Sequence, residues 1–142
     1  MDPAEFLKTA ELLKTYTDQP HLRTSVGRSY YAALLYFRER LKVLGLEKTK
    51  QPSRDAHAFV IQCLNFSGVI ECIKASKYLH DLQQLREDAD YHLDKTFVQN
   101  DAEDAYLKAQ KVVNDYKQKM TKEKEKTLLG KASTHARLKD WI

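Results

Sequence analysis

Between Leu82 and His92 the chain reads Leu-Gln-Gln-Leu-Arg-Glu-Asp-Ala-Asp-Tyr-His, the stretch richest in groups able to do chemistry. An imidazole and a guanidinium are what RNA strand scission without a metal requires. A neutral imidazole takes the proton from a ribose 2′-hydroxyl, which then attacks the adjacent phosphate. A guanidinium holds two phosphate oxygens and stabilises the charge that builds on phosphorus. Leu82, Leu85 and Ala89 recur at helical spacing and anchor the segment in a core, so Arg86, Asp90 and His92 project toward its flank or outer side. Arg86 and His92 lie about 120° apart around a straight helix. One helix therefore does not converge them; a local break does, or a second copy of the chain packed face to face. The same residues also have a purely structural reading, in which Arg86 pairs with Asp90 one turn on and His92 is a surface or half-buried histidine.

Other candidates are more dispersed. Tyr30 and Phe37 fall on a core-facing stripe and read as packing, whereas Arg28 and Tyr31 point elsewhere and can reach a cleft or partner. Lys117 and Lys119 open a basic stretch reaching Lys126, either a solvated helix end or a contact for RNA phosphates. His21 and Arg23 read as first-turn surface residues. His21, His57, His80 and His135 form no ligand set with each other or with Cys63 and Cys72, so neither a metal nor a cofactor is expected. The two cysteines sit in apolar stretches and read as buried free thiols.

The elements that position these residues are helical. From Lys117 onward eight lysines and arginines face three acids, which gives this end +5 and leaves the rest of the chain at −1, within a total of +4. Basicity thus belongs to the tail, which supports a local basic patch or tail and not a chain-wide nucleic-acid-gripping surface. Few glycines and prolines, abundant charge and no period-two alternation predict an all-α fold, an antiparallel bundle of about five helices. Asp2-Pro3-Ala4-Glu5 starts the first, which runs toward Asp18-Gln19-Pro20. Leu22, Val26, Tyr30, Ala33, Phe37, Leu41 and Leu44 mark the second, closed by Gly45, with Gly27 marking a close helix contact. Ser53 is the expected cap of a third, and a fourth spans about Val69 to Leu93 with an interruption near Lys74–Lys77. Asn100-Asp101-Ala102-Glu103 reads as a capping box opening a fifth. Residues 1–120 make up the bundle. Residues 121–142 read as a basic linker and a short C-terminal amphipathic segment, ending in Trp141 and Ile142, that docks on the bundle or fits a partner's groove. No apolar run is long enough to cross a bilayer, and Met1-Asp2-Pro3-Ala4-Glu5 does not read as a signal peptide, so the expected location is the cytoplasm.

Arg86 and His92 fit the Arg-x(4–6)-His signature of HEPN domains. Leu82 to Tyr91 resembles the Leu-Arg-x-x-Ala-Asp-Tyr branch of that family, and Arg28-Ser29-Tyr30-Tyr31-Ala32 is similar to the Arg-x-Tyr-Tyr-Ala phrase on that branch's second helix. Ala102 to Tyr116 resembles the closing helix, so the likeness covers roughly residues 5–118. It implies a HEPN-like homodimer with Arg86 and His92 of both chains lining a shared cleft. Beside that pair Glu87, Asp90 and Tyr91 are the expected supporting residues, and Arg28, Tyr31, Lys117 and Lys119 the expected RNA contacts. The implied activity is metal-independent cleavage of single-stranded RNA by a toxin or defence effector, partnered by an antitoxin or minimal nucleotidyltransferase. Two positions depart from the pattern. Glu87 stands where active members commonly have Asn, Asp or His, and Asp94 stands where one toxin group has a modifiable tyrosine. Inhibition by nucleotidylation at that site is therefore not expected. A non-catalytic binding or nucleotidyltransferase-docking module is the alternative, and a plain helical scaffold the third reading.

Overall fold

A computed structural model describes the whole chain, residues 1–142. The fold is all-helical, with six helices where the sequence predicts about five: α1 (Ala4–Leu13), α2 (Gln19–Val43), α3 (Ala56–Asn65), α4 (Ile70–Tyr91), α5 (Gln99–Lys119) and α6 (Lys122–Leu138). No helix is long and apolar enough to cross a membrane.

The long apolar stripe of the second helix makes it the centre of the molecule. Leu22, Val26, Tyr30, Phe37 and Leu41 are fully buried, and α2 packs against α1, α3, α4 and α5. The expected packing roles of Tyr30 and Phe37 hold. Gly45 follows α2 with φ +95°, the left-handed conformation that glycine adopts without steric cost, and lets the chain turn off the helix. Gly27 is buried, but a Cβ there would meet nothing within 4 Å, so it does not mark the close contact expected of it.

The helix boundaries differ from the sequence expectation in physically simple ways. α1 ends at Leu13, and Tyr16 lies outside it, because Thr15–Asp18 turns the chain toward α2. Ser53 caps nothing; Asp55 precedes α3 in a left-handed conformation, φ 54°, without a side-chain cap. α4 runs without a break through Lys74–Lys77, since Cys72, Ala75, Ser76 and Leu79 keep one buried face continuous. α5 begins at Gln99, and it is Asp101, not Glu103, whose carboxylate accepts from a capping backbone N–H, that of Val98 at 2.8 Å.

The largest difference lies at the C-terminus. The lysine/glutamate run expected as a linker is the first turns of α6. There Thr121 accepts from the Lys124 N–H, and Glu123 and Glu125 suit the positive end of the helix. α6 lies on α3, its Leu128, Ala132 and Ala136 fully buried, and Trp141 beyond it packs edge-on against Phe59 at 5.8 Å. The Trp141 carbonyl accepts from the N–H groups of Thr49 and Lys50, tying the chain end to the loop before α3. Of the two fates open to this segment, it docks on its own bundle.

Candidate functional site

Arg28 and Tyr31 are three residues apart on α2 and therefore share a face. That face meets the C-terminal half of α4 and the first turn of α3. Tyr31 has two guanidiniums near its ring: Arg28 Cζ lies 5.8 Å and Arg86 Cζ 5.4 Å from its centre, both within cation–π range. Tyr91 covers Arg86 as well, at 5.8 Å, and Phe6 of α1 covers Arg28 at 4.9 Å. His57 meets the same Tyr31 ring edge-on at 5.8 Å, while its Nδ1 lies 2.8 Å from the Tyr30 hydroxyl. Burial holds the imidazole below its ordinary value of 6.5, with Arg86 and Arg38 acting in the same direction. Four residues singled out in the sequence, Arg28, Tyr31, Arg86 and Tyr91, thus converge, joined by a histidine that was not.

The expected Arg86–Asp90 pair is present, Nε to Oδ2 2.9 Å. Its geometry is not that of a hydrogen bond, and Nε is buried without another partner, so the contact is an electrostatic one. The Arg86 side chain is 18% exposed. Glu87, the next residue, is exposed and belongs to the same electrostatic environment, opposing Arg86 in its effect on His57.

His92 is built differently. It is the residue on which α4 ends, and its Nδ1 lies 2.7 Å from Oδ1 of Asp88, one turn back. The other Asp88 oxygen binds Lys95 at 2.7 Å; Lys95 and then His92 hold that carboxyl below the ordinary carboxylate range. The His92 side chain is 55% exposed. It shares no hydrogen bond, ion pair or partner residue with Arg86, as the 120° separation requires, and within one chain the two side chains are not brought together.

What fixes His92 is a residue misread from the sequence. Arg23 is buried, not a surface residue. Its guanidinium donates to the carbonyls of Asp88, Ala89, His92 and Lys95 and lies 4.9 Å over the Phe97 ring. The last carbonyls of a helix have no partner within it and carry its negative end, so one cation satisfies several at once. The signal was legible: Arg23, Val26, Gly27 and Tyr30 follow helical spacing along the core face. His57 had no such signal, because its link to Tyr30 spans two helices.

The lysines expected to bind RNA stand elsewhere. Lys117 lies 5.4 Å over the Tyr36 ring, and Lys119 is 3.6 Å from Asp115. Lys119 joins Lys74, Lys77 and Lys111 around a groove of about 360 Å³ between the first half of α4 and the end of α5. That is the opposite half of α4 from Arg86. Both cysteines are buried and free, their thiols pushed up by burial to about 12. No three His, Cys, Asp or Glu side chains assemble into a set able to hold a metal ion.

Fold and site together define an all-helical domain with an arginine–tyrosine–histidine cluster where the middle of α2 meets the C-terminal end of α4 and the start of α3. No family model matches the chain, and no curated protein or solved structure matches it.

Proposed function

We propose that the chain is a HEPN-type endoribonuclease, acting as a homodimer without a metal and serving as a toxin or defence effector. The observation that carries this reading is the His92–Asp88 contact on the helix that also bears Arg86. A carboxylate accepting from Nδ1–H fixes the imidazole tautomer and leaves Nε2 free to accept a proton, the arrangement by which a histidine acts as general base. His92 takes the 2′-hydroxyl proton, O2′ bonds to the adjacent phosphorus, and the 5′-oxygen leaves and gains a proton. The products are a 2′,3′-cyclic phosphate and a 5′-hydroxyl end. Arg86 holds the phosphate and the charge that grows on it. Because Arg86 and His92 face apart within one chain, a second copy supplies the complementary group. Tyr91 and Leu93, 68% and 81% exposed beside His92, give that second copy apolar surface to cover.

The test compares wild type with Arg86→Ala and His92→Ala on single-stranded RNA in EDTA. Each variant should lose about 10²-fold or more of the cleavage rate, and DNA, which lacks the attacking hydroxyl, should be spared. Equal cleavage by all three proteins, or activity that appears only on adding metal, refutes the proposal.

A second reading rests on the carboxylates around Arg86. Asp90 already engages the guanidinium and Glu87 stands next to it, an arrangement suited to a non-catalytic module that binds nucleotides or nucleic acid or docks a nucleotidyltransferase. Binding without turnover, unchanged in His92→Ala, selects it.

A further inference from the structure

Tyr30 is fully buried, and its hydroxyl has one hydrogen-bond partner in the protein, Nδ1 of His57. A buried phenol proton needs an acceptor, and the only one in reach is that ring nitrogen. Tyr30 therefore donates and Nδ1 accepts. Burial pushes the Tyr30 hydroxyl above its ordinary value, so it keeps its proton throughout the neutral range. With Nδ1 occupied as an acceptor, a neutral His57 carries its proton on Nε2. That nitrogen makes no hydrogen bond within the chain and is not among the buried unpartnered atoms, so it opens to solvent. The Tyr31 ring that meets the imidazole edge-on has Arg86 and Arg28 within 5.4 and 5.8 Å of its centre. An N–H donor of fixed direction, with the Arg86 guanidinium in its surroundings, matches an anion with several oxygens.

We propose that His57 is a phosphate ligand of this chain, its Nε2–H donating to a non-bridging oxygen of an RNA phosphodiester that Arg86 also holds. The proposal rests on the ribonuclease reading of Arg86 and deepens it: the anion site is assembled within one protomer by α2, α3 and α4, independently of where His92 lies. It gives His57 no proton transfer. The groups that face the imidazole fit this role. Tyr30 and Arg38 come from α2, and Arg86 and Glu87 from α4. The cations among them favour the neutral ring, the form that donates through Nε2.

A fluorescein-labelled, fully 2′-O-methylated oligoribonucleotide cannot be cleaved and isolates binding from chemistry. His57→Ala should weaken its binding about tenfold, the scale of one hydrogen bond to a charged acceptor. His57→Gln, whose amide places an N–H near the Nε2 position, should restore most of that loss. Binding by His57→Ala equal to wild type overturns the proposal, as does a His57→Gln protein that folds, by circular dichroism, yet binds as weakly as His57→Ala. Ring ¹⁵N resonances of His57 in the unmutated protein give an independent readout. Protonated Nε2 and bare Nδ1 at pH 7 are expected, and the reverse tautomer overturns the proposal. Cleavage of ordinary RNA by wild type, run in parallel, separates the two failures: cleavage without a His57 effect removes only this ligand, and His57-dependent binding without cleavage removes only the nuclease.

Discussion

Arg23 shows how one side chain decides where another points. Its guanidinium collects four carbonyls from Asp88 to Lys95, so the turn that ends α4 and carries His92 has its backbone satisfied by a residue far away in sequence. The Asp88 and His92 carbonyls also accept from the His92 and Lys95 N–H groups, so Arg23→Ala leaves those of Ala89 and Lys95 unpaired, and should cost about 2–3 kcal/mol of unfolding free energy, read by urea titration. Arg23→Lys should recover only part of this, because a single ammonium cannot span carbonyls spread over a turn and a half. Full recovery by lysine means that the positive charge, not the fork of donors, holds the turn. At the same scale, Arg86 has company that neutralises it in part: Asp90 beside Nε, and the aromatic faces of Tyr31 and Tyr91.

Among the elements, α6 is the one whose role only its packing explains. Lys122 to Thr127 has no apolar stripe, yet it is helical because the residues after it, Leu128, Ala132 and Ala136, bury against α3 and carry the polar turns along. Glu125 fastens the start of the helix, accepting from Tyr116 at 2.8 Å and from Arg40 at 3.1 Å. His135 stacks on Phe66 at 3.9 Å near the far end. Leu128→Ala should therefore cost about 2–5 kcal/mol, the range for a buried leucine. Trp141 is the only tryptophan and is 7% exposed, so its emission reports docking of the chain end. Coincident urea transitions by fluorescence and by circular dichroism are expected. A fluorescence transition at lower urea shows that the chain end undocks on its own.

For the whole molecule, two half-buried histidines contribute to the response to acid. His57 and His135 are held below 6.5, in both cases first by burial, with Arg86 and Arg38 assisting at His57 and Lys139 at His135. The folded state resists protonating them and the unfolded chain does not. Their contribution to stability is thus complete above about pH 6.5 and is lost as pH falls through their folded values. The carboxyls of Asp88, Asp18, Glu71 and Asp115 are lowered from ordinary values of 3.8 to 4.5, so their loss comes at more acid pH. Urea midpoints should fall between pH 7.5 and 5.5, and the His57→Gln/His135→Gln double variant should flatten that fall. A slope unchanged in the double variant assigns it to other groups.

Sequence periodicity and residue type determined the all-helical class, the long core-facing stripe of α2, and the segment from Leu82 to His92 as the richest in chemistry. Each follows from local rules, spacing within one helix and residue type, which need no knowledge of neighbours. Periodicity also showed that Arg86 and His92 diverge on one helix. What tertiary structure decided is everything that joins residues distant in sequence. His57 meets Tyr30 and Tyr31 only because α3 crosses α2. Arg23 reaches the end of α4 only because α2 lies beside it. A lysine/glutamate run becomes helix only because α3 offers the residues after it an apolar face. The physical reason is the same in each case: a short-range pattern fixes which face a residue occupies, but what that face meets is set by the packing of other elements.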